Sequence, residues 1–244
     1  MNYKAVLQYD GTRYRGWQTQ GNTDNTIQGK LETLLTKMAG EPVEVNGSGR
    51  TDAGVHATGQ VISFWCKTKE SPEEICRYMN EYLPEDIVVL SVEEAAPRFH
   101  ARLNAVRKIY VYRIWNAPVR NVFRRKFTTW IQKPLDLEAM EQAATLLCGT
   151  HDYRAFCSLK KFKKSTVRTI EKIEIGKMGQ EIRISYTGDG FLYHMVRILT
   201  GTLVEVGLGL RKPEEMTEIL EGQDRTKAGR LMPPEGLTLE SVEY

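Results

Sequence analysis

Apolar and polar positions along the chain fall into two successive cycles of strands and helices. Residues 2–9 alternate with period two and predict a strand, which Asp10-Gly11 ends. From Asn25 to Gly40 the apolar positions Ile27, Leu31, Leu34, Leu35 and Met38 recur at helical spacing. Asn25 with Gln28 suggests a capping box for this helix, and Gly40 its stop. Val61–Trp65 reads as a strand, Pro72–Leu83 as a helix, Ile87–Val92 as a strand, and Ile109–Ile114 as another with period-two alternation. The second cycle opens with a helix over Leu137–Cys148, stopped at Gly149. A hairpin pair follows at Ile170–Ile175 and Glu181–Tyr186. Then come a long helix over Gly190–Val206, a shorter one over Pro213–Leu220 and a closing strand over Leu237–Tyr244. Each half mixes helices with mostly antiparallel strands, so the pattern predicts an α+β protein of two domains. The join is expected in the region 98–126, giving an N-terminal half over 1–105 and a C-terminal half over 106–244. No Gly/Ser linker separates the halves and no solenoid repeat is visible.

A chain of 244 residues with 41% hydrophobic and 27% charged residues fits this picture of a globular protein. No uncharged apolar run reaches membrane-spanning length, and the start already reads as a strand, so the expectation is a cytoplasmic protein with no membrane association. Cys66, Cys76, Cys148 and Cys157 lie too far apart for a C-x-x-C pair, and no H-x-x-x-H accompanies them. They read as incidental thiols, and no metal cofactor is expected.

Charge changes the picture more than composition does. Arg98 to Lys126 holds nine Lys/Arg and no acid, and Arg154 to Lys172 holds seven more against Glu171 alone. Glu70 to Glu94, in contrast, holds eight acids against Arg77. Such segregation points to a polyanionic partner. Phe99, Tyr110, Tyr112, Trp115 and Phe162 interleave with the bases, as stacking on nucleobases requires. The alternative is a set of solvated faces whose charges balance in three dimensions.

The candidate chemistry lies in Asn46-Gly47-Ser48-Gly49-Arg50-Thr51-Asp52-Ala53-Gly54-Val55-His56. Gly49 and Gly54 have the spacing of a phosphate loop, but Val55-His56 stand where Lys and Ser/Thr are needed, and Asp52 would repel a phosphate. Asp52 alone could be a turn former. Flanking glycines that admit a close neighbour, and Arg50 as a cation favouring the ionised form, instead suit a reactive carboxylate. Between Phe191 and Leu210 the only charges are Arg197 and Glu205, in an otherwise apolar helix. Arg197 therefore either meets a carboxylate from elsewhere, with Asp52 the candidate, or reaches solvent along its stem. His56, His100 and His194 read equally as hydrogen-bonded spacers or as acids and bases, and none is assigned a catalytic role.

With these residues assembled, the sequence resembles the tRNA pseudouridine synthase A family. The resemblance is carried by Tyr9-Asp10-Gly11-Thr12, Gly16-Trp17-Gln18, Gly49 to Ala57, Phe99-His100-Ala101-Arg102, Lys108-Ile109-Tyr110, Gly190-Phe191-Leu192, His194-Met195-Val196-Arg197 and Asp224-Arg225. It implies two ferredoxin-like α/β halves joined across a central cleft, and a homodimer needing no cofactor or metal. The implied activity is isomerisation of uridine to pseudouridine at tRNA positions 38, 39 and 40. It further implies Asp52 as the catalytic aspartate, Tyr110 against the target base, and Arg197 paired with Asp52; Arg50, beside Asp52 in the loop, is taken as a further substrate-binding candidate. Arg230-Leu231-Met232-Pro233-Pro234 departs from the family's usual Thr-Ala-Pro-type segment and puts contacts at the cleft edge in question. Two other classes fit parts of the pattern. One is a non-catalytic RNA-binding module; the other is a hydrolytic aspartate enzyme that cleaves the N–C bond and leaves an abasic site.

Overall fold

The computed structural model describes residues 1–21 and 23–244. The chain divides into two compact units, Met1–Val106 with Thr238–Tyr244, and Arg107–Leu237. The closing strand, expected with the second half, belongs to the first unit because it pairs there.

In the first unit, strand β1 (Asn2–Tyr9) lies between β3 (His56–Trp65) and β4 (Ile87–Glu94), antiparallel to both. The short β2 (Val45–Gly47) pairs with the other edge of β3. Helix α1 (Ile27–Ala39) follows β1, and α2 (Pro72–Tyr82) follows β3. The path βαββαβ with strand order 4-1-3-2 is the ferredoxin-like arrangement. Alternation along β1 buries Tyr3, Ala5, Leu7 and Tyr9. From α1, Ile27, Leu31, Leu34 and Leu35 are buried as their spacing predicts, while Met38 is only half-buried.

The expected cap of α1 is corrected. Thr26, not Asn25, is the N-cap, its hydroxyl accepting from Gly29 N at 3.2 Å. The Asn25 amide donates to Arg13 O, and Gln28 reaches Thr19, Glu32 and Val45 instead. Strand β3 starts at His56, five residues before the expected Val61, because Tyr9 of β1 aligns with Ala57 and the final strand adds on its other side. That final strand, β10 in chain order (Leu237–Glu243), runs parallel to β3 with Thr238 opposite His56. Gly59 permits this approach: a Cβ there would stand 2.3 Å from Glu240 O.

In the second unit, β5 (Arg107–Asn116) pairs antiparallel with β9 (Glu181–Gly188), which forms a hairpin with β8 (Val167–Met178). Two strands that the sequence pattern does not predict are β6 (Thr129–Ile131), parallel to β5, and β7 (Gly149–Asp152), antiparallel to β8. Each is only three or four residues long, too short to set up a period. Helices α3 (Leu137–Leu146), α4 (Met195–Gly207) and α5 (Glu215–Gly222) complete the unit. Helix α4 begins at Met195, not at Gly190, since His194 takes a left-handed backbone and interrupts any earlier turn. It is buried almost throughout. Tyr112, one of the aromatics interleaved with the bases, is core: its hydroxyl meets Thr129 Oγ1 at 2.6 Å and Pro233 O at 2.7 Å. Phe99 packs on Tyr244, and Phe162 lies beneath the Arg154 guanidinium.

Candidate active site

In the first unit, Asp52 opens a four-residue turn closed by Val55 N donating to Asp52 O at 3.1 Å. Gly54 occupies the third position with φ +80°, as a type II turn demands. Backbone contacts fix the turn from behind. Trp17 N donates to Thr51 O at 2.9 Å, and the Tyr9 hydroxyl meets Thr51 Oγ1 at 2.8 Å. Gln60 is a second brace, donating to Gly49 O at 2.9 Å while accepting from Ser48 Oγ at 2.6 Å. Burial pushes the Tyr9 hydroxyl pKa well up, opposed by its bonds to Thr51 and Gln60, so it stays a neutral partner.

The nearby glycines admit the protein's own backbone. A Cβ at Gly11 would stand 1.9 Å from Val55 O, and one at Gly16 2.9 Å from Thr51 O. Strand β1 and the segment after it thus press directly on both ends of the Asp52 turn. The outcome is a rigidly seated loop with Thr51 and Val55 buried, Asp52 half-buried and Arg50 exposed. His56 is buried behind it, its Nδ1 accepting from Gly11 N at 3.1 Å and lying 3.3 Å from Asp10 Oδ1. Asp10 Oδ1 accepts from Thr12 N at 2.9 Å. His56 therefore joins the strand end to the loop. His100 accepts from Arg102 N through Nδ1 and plays a comparable local part.

In the second unit, Tyr110 on β5 stands opposite Tyr186 and is 8% exposed. Phe191 meets its ring edge-on at 5.2 Å. Phe191 lies in the loop that feeds α4, so the base-facing candidate and the arginine-bearing helix share a neighbour. Sequence pattern alone gives Phe191 no role; only its place in the Gly190-Phe191-Leu192 motif marks it.

Arg197 is also 8% exposed, and its Nε donates to Met232 O at 2.7 Å. Met232 N returns a bond to Arg197 O at 3.3 Å. The atypical Arg230-Leu231-Met232 segment is therefore what seats this guanidinium. Residues 229–232 can lie that close because Gly229 and Gly201 lack side chains: Cβ atoms there would fall 2.5 Å from Thr202 N and 1.9 Å from Arg230 O. Gly229 N also donates to Thr202 Oγ1 at 2.9 Å. Glu205 is engaged by Arg211 Nε at 2.6 Å and by Arg230 N at 3.0 Å.

The start of α4 is strained. His194 has φ +66° and ψ +2°, a region costly for residues other than glycine. Ser158 Oγ pairs with its Nδ1 at 2.9 Å, Tyr193 stacks on its ring at 3.7 Å, and Ile198 N donates to its carbonyl at 3.0 Å. His194→Asn is expected to keep stability and turnover within about threefold, since Asn tolerates the left-handed region. His194→Val is expected to cost about 1–3 kcal/mol and to lower kcat, because the first turn of α4 shifts beneath Arg197. Thermal melts and steady-state kinetics check both; equal behaviour of the two variants would remove the backbone constraint as the reason for a histidine here.

Asp52 and Arg50 are thus held in the first unit, Tyr110 and Arg197 in the second. Among the described residues, no group of three or more His, Cys, Asp or Glu is arranged to hold a metal ion. No helix among them is long and apolar enough to cross a membrane.

The chain is thus an α+β protein whose first unit seats Asp52 in a braced glycine-rich loop and whose second holds Arg197 in a buried helix. The sequence model of the tRNA pseudouridine synthase family matches residues 5–104 and 143–244, and the chain belongs to that family. Asp52, Arg50 and Arg197 fall inside the matched spans and Tyr110 between them. The chain is 48% identical over 243 residues to tRNA pseudouridine synthase A of Bacillus sp. (strain KSM-64), covering 100% of this chain and 99% of that one. It is 46% identical over 241 residues to tRNA pseudouridine synthase A of Brevibacillus brevis, covering 99% and 98%. It is 44% identical over 243 residues to tRNA pseudouridine synthase A 1 of Clostridium tetani, covering 100% and 99%. The protein is an isomerase that makes pseudouridine in tRNA.

Proposed function

We propose that this enzyme converts uridine to pseudouridine at positions 38, 39 and 40 of the tRNA anticodon arm, acting in the cytoplasm as a homodimer. Asp52 is the nucleophile, Tyr110 supports the flipped base, Arg197 pairs with Asp52, and Arg50 grips the substrate backbone. The observation that carries the reading is the seating of Asp52. Its turn is held by main-chain contacts from Trp17 and by the Gly11 and Gly16 approaches, while the side chain remains half-exposed. A carboxylate whose backbone cannot drift is preorganised for attack.

The chemistry follows from what must break and form. The target nucleotide leaves the stack, at a cost of a few kcal/mol, so that its glycosidic bond can be reached. The Asp52 carboxylate attacks, at C1′ or at C6. The N1–C1′ bond breaks, the base turns, C5 bonds to C1′, and the bond from Asp52 to C1′ or C6 breaks, which regenerates the carboxylate. C5 then loses its proton and N1 gains one, so the product has the mass of the substrate. Arg197 offsets the Asp52 charge in the resting site, and Tyr110, already braced by Phe191, gives the base an aromatic face.

Purified protein incubated with full-length tRNA carrying C5-tritiated uridine at 38, 39 or 40, with the product mapped and weighed, tests this. Tritium release at these positions, with no free uracil and no change in the mass of unlabelled RNA treated in parallel, is the expected result. Release only at uridines elsewhere would overturn the assignment of position, and a loss of mass with free uracil would favour hydrolysis.

A further inference from the structure

We propose that Tyr193 stacks on the base next to the target uridine, and that lysines of the loop 158–166 hold the phosphates of the same nucleotide. The proposal rests on the reading of Tyr110 given above and adds a neighbouring subsite to it. All of its residues belong to the second unit.

Tyr193 and His194 form the tip of the tight turn that opens α4, closed by Met195 N donating to Leu192 O at 3.0 Å. Two residues earlier, Phe191 packs edge-on against Tyr110. Two residues of chain span at most about 7 Å, a distance that one nucleotide step can bridge. The Tyr193 ring lies on the His194 imidazole, with centroids 3.7 Å apart and planes 26° from parallel, while the residue stays 49% exposed. A lone exposed tyrosine is ordinary. One whose ring is held flat from beneath is a platform for a base. The backbone gives a second reason. His194, at φ +66°, stands where glycine or asparagine would be less strained. What the histidine supplies instead is a ring under Tyr193 and a nitrogen that meets Ser158 Oγ at 2.9 Å.

Ser158 ties this platform to a basic loop. Its N donates to Tyr193 O at 3.3 Å, and Leu159-Lys160-Lys161-Phe162-Lys163-Lys164 leads away from it. The segment 158–166 contains no acid. All four lysines are exposed, and none forms an ion pair among the described residues. The loop is pinned along its length. Phe162 lies half-buried beneath the Arg154 guanidinium at 5.2 Å, and Tyr153 N donates to the carbonyl of the buried Thr166 at 3.2 Å. Its ammonium groups can therefore meet phosphates without first giving up a carboxylate. Phosphate contacts fix register and stacking accepts any base, so the subsite positions the strand without reading its sequence. An enzyme acting at three successive positions needs that tolerance.

Wild type, Tyr193→Ala and Tyr193→Phe are compared by tritium release from full-length tRNA labelled at uridine 39, either intact or with an abasic residue at 38 or at 40. Tyr193 is exposed, so both variants should melt with wild type. On intact tRNA the expected result is a KM about tenfold higher in Tyr193→Ala, with kcat little changed and the wild-type value kept by Tyr193→Phe. On one of the two abasic substrates the three proteins should converge, because the stacking base is gone. No rise in KM, or a rise that persists on both abasic substrates, would overturn the stacking role. Replacing Lys160 and Lys161 together by Gln should lower the slope of log kcat/KM against log salt by about 2. An unchanged slope would overturn the phosphate role. A wild-type enzyme inactive at uridine 39 would overturn the assignment of position instead, a result distinct from an active enzyme indifferent to Tyr193.

Discussion

Asp52→Asn should leave the protein folded and able to bind tRNA, yet lower tritium release from C5-labelled uridine by roughly 10⁴-fold or more, the scale seen when an enzyme loses its nucleophile. The stability half of this expectation follows from the loop. The contacts that seat the turn use the carbonyl of Thr51 and the carbonyl of Asp52, and these survive a change from carboxylate to amide of the same shape. The chemical half follows from charge. The amide oxygen is neutral and cannot carry the covalent bond that both attack routes require. Asp52→Glu is an informative companion. It keeps the carboxylate but moves it by about one bond length, and a displacement of that order costs on the order of 10²-fold when the backbone cannot follow. The graded series Asp > Glu ≫ Asn, read by tritium release beside filter-binding affinity for tRNA, would distinguish a nucleophile from a residue that only shapes the loop. More than a tenth of wild-type release in Asp52→Asn would refute the role.

Much of the framework is legible in the sequence for a physical reason. Period-two and period-3.6 burial persists over whole elements such as β1 and α1, and each carries enough positions for the pattern to stand out. The elements that stay hidden have no such signal. Strands β2, β6 and β7 are defined by their partners, not by their own alternation. The early start of β3 is likewise a tertiary event: residues 56–60 carry glycine and polar side chains, and they extend because β1 and β10 lie alongside. The cap of α1 shows local chemistry in competition. Asn25 and Thr26 are both good N-cap residues, and the Asn25 amide is drawn away by Arg13 O.

The candidate site divides in the same way. Asp52, Arg50, Tyr110 and Arg197 can be singled out because their residue types are unusual where they stand or match a family motif. What holds them cannot. Glycines 11, 16, 201 and 229 look like ordinary turn or helix glycines until the backbone opposite each one is known. The Met232 carbonyl that receives the Arg197 Nε is a main-chain atom, and no side-chain pattern reports it. Tyr193 escapes notice for the opposite reason. Aromatics among basic residues suggest stacking surfaces, but burial takes Tyr112 into the core and leaves exposed an aromatic that no pattern singles out.

Gly201→Ala is expected to be among the most damaging single-methyl changes in the protein. By helix propensity alone, alanine within α4 would be favoured by about 1 kcal/mol. Steric overlap opposes this and outweighs it. The new Cβ would sit 1.9 Å from Arg230 O and 2.9 Å from Arg230 C, so backbone meets backbone and no side chain can rotate away. Relief requires the 229–232 segment to move off the helix, stretching Gly229 N–Thr202 Oγ1 and the two bonds between Arg197 and Met232. Overpacking of this kind costs about 3 kcal/mol where the neighbours cannot yield, a fall in melting temperature of about 6–12 °C for a chain of this size. Activity should fall further than the unfolded fraction explains, because the displaced segment is the one that seats the Arg197 guanidinium. Gly11→Ala is the counterpart in the first unit, with its Cβ 1.9 Å from Val55 O, at the far end of the Asp52 turn. The two variants should resemble each other in losing turnover at temperatures where both remain folded, although their substitutions lie in different units. A Gly201→Ala protein that melts at or above the wild-type temperature, with kcat unchanged, would show that helix propensity outweighs the crossing. The tight approach of residues 229–232 would then not be what fixes Arg197.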